Sequence, residues 1–119
     1  MIASTIWLSV VWKGRYPLAS YINVGKASDV PVGEARVVVV QNKRLALCNV
    51  DGVIHVIDDT CTHDDGPLGE GKLHGFAIEC PRHGARFDVR TGAVLQMPAA
   101  FPVRAYKSRI EGDQIQVEI

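Results

Sequence analysis

The sequence predicts an all-β fold, an antiparallel β-sandwich or small barrel. Short runs of Val, Ile and Leu recur with turn residues about every eight to twelve positions, and no stretch sustains a helical period. At the C-terminus Ile115, Val117 and Ile119 alternate with Gln114, Gln116 and Glu118, the pattern of a half-buried strand.

The first twenty residues stand apart. Met1 to Trp12 is mostly apolar but has no basic leading region and no small-residue cleavage site, so it does not read as a secretion signal. It is also shorter than the roughly 20 apolar residues a bilayer span requires. Ile6-Trp7-Leu8-Ser9-Val10-Val11-Trp12 is rich in β-formers, so residues 1–20 are read as an N-terminal extension adding an edge strand. A sticky contact with a second subunit or a partner is the sharper alternative.

Residues 21–119 read as one domain, with no linker, repeat or low-complexity stretch. Arg36-Val37-Val38-Val39-Val40 and Arg44-Leu45-Ala46-Leu47 flank Asn42-Lys43 as their turn, and Asp51-Gly52 turns into Val53-Ile54-His55-Val56-Ile57. This is a meander. Asp64 to Gly71, with Gly66, Pro67, Gly69 and Gly71, is a loop by composition, and His74-Gly75 suggests a hairpin turn. Phe76-Ala77-Ile78-Glu79 is then a strand ending at Cys80. Glu111-Gly112-Asp113 joins a strand from Val103 to Ile110 to the last one.

The chemistry is concentrated in Cys61-Thr62-His63 and Cys80-Pro81-Arg82-His83, two mixed Cys/His pairs with sixteen residues between them. Each pair is short enough for one loop to present both side chains, and the two loops then close on one site as a clamp. Two thiolates on one iron and two imidazoles on the other would hold a [2Fe-2S] cluster. Ligand type alone leaves zinc open, because thiolate and imidazole suit both metals. A zinc site more commonly pairs like ligands, Cys with Cys and His with His.

The stretch from about Tyr21 to the C-terminus resembles the Rieske-type [2Fe-2S] ferredoxins. The likeness is carried by Cys61-Thr62-His63, Cys80-Pro81-Arg82-His83-Gly84, Ala85-Arg86-Phe87-Asp88 and Thr91-Gly92. It implies a Rieske-like β-sandwich with a cluster-binding subdomain of two loops, at about residues 59–100. By the same resemblance Cys61 and Cys80 would bind the inner iron, and His63 and His83 the outer one near the surface. Pro98, in Met97-Pro98-Ala99, would shield the sulfurs, and Gly84 would let backbone approach them closely.

Departures from the family pattern are informative. Respiratory Rieske proteins carry a disulfide-forming cysteine in each cluster loop, where this chain has Gly66 and Arg82. They also place hydroxyl donors to the sulfurs where this chain has Ala85 and Phe87. Such donors stabilise the more negative reduced cluster, so their absence implies a potential near the low end of the Rieske range of about −150 to +300 mV.

Composition agrees with a small electron carrier. The chain has 119 residues, 13 basic and 13 acidic side chains, and no basic stripe of the kind that binds nucleic acid. Of its three cysteines, Cys48 has no partner and reads as a buried small hydrophobe in Leu45-Ala46-Leu47-Cys48-Asn49-Val50. An odd thiol and an oxygen-sensitive cluster indicate a reducing cytoplasm. His55 and His74 read as ordinary strand and turn residues. The acids Asp58, Asp59, Asp64, Asp65 and Glu70 and the bases Lys72, Arg82 and Arg86 either solvate the loops or form a mixed-charge docking rim.

The resemblance implies a one-electron shuttle, like the ferredoxin component of ring-hydroxylating dioxygenase systems, and not an enzyme by itself. Its partners would be a flavin-dependent reductase and a terminal oxygenase, with neither nucleic acid nor membrane involved. A monomer is expected, with self-association through the extension as the alternative. The other functional readings are a Rieske-like small subunit of a nitrite reductase or similar complex, and a zinc-stapled binding module.

Overall fold

The computed structural model describes residues 20–60, 67–82, 84–97 and 101–119. The extension read in residues 1–20 thus lies, but for Ser20, outside the described residues. Three antiparallel sheets make up the described fold, accompanied by two short 3₁₀ turns. The first sheet orders β1 (Tyr21–Lys26), β11 (Gln114–Glu118) and β10 (Ser108–Glu111). The second orders β2 (Ala35–Val40), β3 (Lys43–Val50), β4 (Val53–Asp58) and β9 (Ala105–Tyr106). The third orders β5 (Lys72–His74), β6 (Ala77–Glu79), β7 (Arg86–Asp88) and β8 (Val94–Gln96).

The second sheet lies between two cores. On β3 every residue from Leu45 to Val50 is buried, because the strand is covered on both faces. That explains its continuous apolar run, in contrast to the alternation of β11, which has one face in water. Leu45 and Leu47 pack with Val24, Val56, Ile115 and Val117 towards the first sheet. Ala46, Cys48 and Ile57 pack with Ile78, Cys80, Ala85 and Phe87 towards the third. Cys48 is fully buried, as its place in the run suggested.

The predicted meander is present with one correction. Val40 pairs with Lys43, so the turn residues are Gln41 and Asn42, with φ of 51° and 64°, and Lys43 already belongs to the strand. Asp51 and Gly52 repeat this geometry at φ 54° and 92°. Two successive positive φ values give a tight turn whose twist matches that of the flanking strands. The single strand expected from Val103 to Ile110 is instead divided. Ala105 and Tyr106 pair with β4 in the second sheet, whereas Ser108 pairs with Val117 in the first, so the chain changes sheets at Lys107. The sequence does not mark this crossing, because no glycine or proline separates the two segments.

Candidate metal centre

Cys80 directly follows β6 and is fully buried. Its amide donates to the Ala85 carbonyl at 2.7 Å, and the Gly84 amide donates back to the Cys80 carbonyl at 3.1 Å. The loop between β6 and β7 is therefore closed at its base, with Gly84 at φ 79° making the return. Cys80 belongs to a buried core cluster with Ile78, Ala85, Phe87 and Leu68. A buried cysteine in an apolar cluster at the root of a short loop fits an iron-sulfur site, whose irons take soft sulfur ligands.

The stem of the loop expected to supply Cys61 and His63 is anchored just as firmly. Thr60 and Pro67 face each other across an isolated bridge. Asp59, fully buried, accepts the Leu68 amide on its carbonyl at 2.7 Å and the Gly69 amide on its carboxylate at 2.6 Å. Its other carboxylate oxygen meets Arg44 Nη2 at 2.6 Å. This carboxylate ties strand β3 to the 3₁₀ turn Leu68–Glu70. Of the four expected ligands, Cys80 is thus located, while Cys61, His63 and His83 lie outside the described residues. Gly66, Asp64, Asp65 and Pro98 lie outside them as well.

Three side chains expected at a charged rim are engaged elsewhere. Asp59 is internal, Asp58 accepts the Tyr106 hydroxyl at 2.6 Å, and Arg86 donates to Glu79 through Nε at 3.1 Å and Nη2 at 2.9 Å. Glu70, Lys72 and Arg82 are exposed. Ala85 and Phe87 are fully buried beside Cys80, so neither position offers a hydroxyl there.

Sequence reasoning took Gly71 only as a loop glycine and passed over Gln96. A Cβ at Gly71 would overlap the Glu79 carbonyl oxygen, so the 3₁₀ turn leans directly on the strand that delivers Cys80. Gln96 Nε2 donates to the Gly84 carbonyl at 3.3 Å, from a strand whose register shifts opposite Arg86 and Phe87. Such bulges redirect side chains at sites. Gly92, at φ 82°, packs its α-carbon against the Val103 carbonyl, which accounts for the Thr91-Gly92 step in structural terms.

The sequence matches the Rieske [2Fe-2S] domain family over residues 20–107. The chain belongs to that family. The cofactor of this Rieske domain is a Rieske-type [2Fe-2S] cluster, in agreement with the buried thiol and the closed loop. The naphthalene 1,2-dioxygenase system ferredoxin component of Pseudomonas aeruginosa is 38% identical over 91 residues, covering 76% of this chain and 88% of that protein. The biphenyl dioxygenase ferredoxin subunit of Pseudomonas sp. strain KKS102 is 41% identical over 91 residues, covering 76% and 84%.

Among solved structures, the Sphingomonas yanoikuyae B1 ferredoxin superposes on this Rieske domain with a TM-score of 0.80 at 34% identity, covering 84% of this chain and 99% of that one. A ferredoxin solved in complex with the oxygenase of carbazole 1,9a-dioxygenase gives a TM-score of 0.76 at 34% identity, covering 82% and 92%. Among the described residues no helix is long and apolar enough to cross a membrane.

Proposed function

We propose that this chain is a one-electron carrier that passes electrons from a flavin-dependent reductase to a terminal oxygenase, and that it has no catalytic activity alone. The observation carrying this reading is the match to dioxygenase ferredoxin components across most of their own length, 88% for the Pseudomonas aeruginosa protein. An oxygenase acceptor is supported by the carbazole ferredoxin captured with its oxygenase. Residues 21–119 would be the working domain and residues 1–20 an extension to it. The protein is read as a cytoplasmic monomer.

In this reading the thiolates of Cys61 and Cys80 hold the inner iron, and the imidazoles of His63 and His83 the outer. When bound, the cluster supplies reversible one-electron chemistry. The chain contributes the rest: Cys80 is fixed by the closed 80–85 loop, and Asp59 braces the stem of the first loop. The apolar side chains of Ile78, Ala85 and Phe87 keep water from the thiol.

An EPR spectrum of the dithionite-reduced protein tests the reading, with a Rieske-type signal expected. His83→Ala should lose that signal while far-ultraviolet circular dichroism stays that of a β-protein. A normal cluster in that variant would refute the ligand assignment. A colourless, zinc-containing protein would refute the carrier. The nitrite reductase alternative rests on a structure of a putative nitrite reductase small subunit that is only 14% identical, a likeness of fold alone.

A further inference from the structure

We propose that Glu79 is a positioning residue of the second ligand loop, and that its carboxylate, held by Arg86 and His74, keeps the reduction potential low. The inference rests on the Rieske reading of Cys80 and His83. Glu79 directly precedes Cys80 and lies opposite Arg86 in the β6–β7 register. Its Oε1 accepts from Arg86 Nε at 3.1 Å and Nη2 at 2.9 Å, and faces His74 Nε2 at 3.2 Å. Three contacts from two neighbouring strands leave the carboxylate little freedom to rotate.

The other oxygen, Oε2, faces the ligand loop. It stands 4.0 Å from where a Cβ on Gly84 would sit, and among the described residues no other atom beyond the chain neighbours comes as close to that point. No atom of Arg86 comes as close to that point, so within the ion pair the carboxylate oxygen is the charged atom nearest the residue after His83. Arg86 donates twice to this carboxylate, and charge-assisted hydrogen bonds of that kind favour its anionic form. Reduction brings one further negative charge to this loop, and a fixed carboxylate beside it opposes that step. Missing hydroxyl donors at Ala85 and Phe87 are then only part of the cause of a low potential.

Redox titration of the full-length, cluster-loaded protein at one pH and low ionic strength tests this. Glu79→Gln should raise the midpoint beyond the reproducibility of the parent while leaving its EPR line shape unchanged, and Glu79→Asp should restore most of the parent value. Arg86→Gln should shift the midpoint the opposite way, because it removes the compensating cation. A parent-like midpoint in Glu79→Gln, or equal-signed shifts in the Gln variants of both residues, overturns the proposal. If Glu79→Gln does not retain its cluster, the sign found for Arg86→Gln decides. Loss of the cluster in both variants overturns the proposal in favour of a purely structural pair. A parent without a Rieske signal would instead refute the underlying reading, so the two failures are distinct.

Discussion

The carboxylate of Asp59 is fully buried and meets the half-exposed guanidinium of Arg44 at 2.6 Å. The same carboxylate receives the Gly69 amide, so one side chain both pairs with Arg44 and closes the stem of the loop that contains Cys61 and His63. Asp59→Ala strands a buried amide and unpairs Arg44, which can turn to water. A loss of about 2–4 kcal/mol is expected, less than for a pair buried at both ends. Urea titration measures it. The variant should also release iron faster than the parent, and equal release rates would remove the loop-stem role.

Gly71 and Gly112 give a matched pair of alanine substitutions. At Gly71 the backbone is extended, with φ −83°, but a Cβ would overlap the Glu79 carbonyl oxygen. At Gly112, φ is 63° and the surrounding space is open. Gly112→Ala should cost about 1–2 kcal/mol from backbone strain alone. Gly71→Ala must displace backbone beside Cys80, so it should cost more and reduce cluster content. The reverse order in thermal melts would contradict the close packing of the 3₁₀ turn on β6.

Alkaline stability carries a sign fixed by two buried groups. Burial, with a contribution from Asp59, pushes the Cys48 thiol from 9.0 up to about 12. Burial and the hydrogen bond to Asp58 push the Tyr106 hydroxyl from 10.0 up to about 12. Both raised values favour the protonated form in the folded protein, so folding holds protons that the unfolded chain releases first. Their stabilising contribution is full below pH about 9 and is lost as pH rises towards about 12. Cys48→Ala should flatten the early part of that decline in pH-dependent urea titrations. Its thiol should also resist maleimide labelling at pH 8 until the protein unfolds.

The midpoint potential should fall below zero, in the lower third of the range of about −150 to +300 mV. Ala85→Ser should raise it by offering a hydroxyl beside Cys80, from a position that is fully buried. Redox titration of parent and variant checks both statements. A parent value well above zero would defeat the first, and an unmoved variant the second.

The strands were legible wherever a side-chain rhythm met a turn signal, as at Asp51-Gly52 and along β11. The β6–β7 loop stood out in the sequence because Cys80, Pro81, Arg82 and His83 are consecutive, and the structure locates its base at Cys80 and Ala85. Asp59 did not stand out, since an acid beside a loop looks the same in sequence whether it solvates that loop or staples it from within. Its partners Arg44 and Gly69 are fifteen and ten residues away, and only tertiary folding brings them together. The sheet change at Lys107 was hidden for a related reason: no glycine or proline marks the step from Tyr106 to Ser108, although the two pair with different neighbours. Gln41 escaped notice because glutamine seldom adopts positive φ, and the neighbouring Asn42 drew the turn one residue too far along.

The burial of β3 on both faces bears on how the molecule opens. Leu45 and Leu47 belong to one core and Ala46 and Cys48 to the other, so neither core can come apart without exposing the strand they share. Amide hydrogens from Leu45 to Val50 should therefore exchange only through global unfolding, and more slowly than those of β8 at the edge of the third sheet. Fluctuations that let solvent or a docking protein reach the ligand loops can then occur at the periphery, while the strand between the cores stays closed.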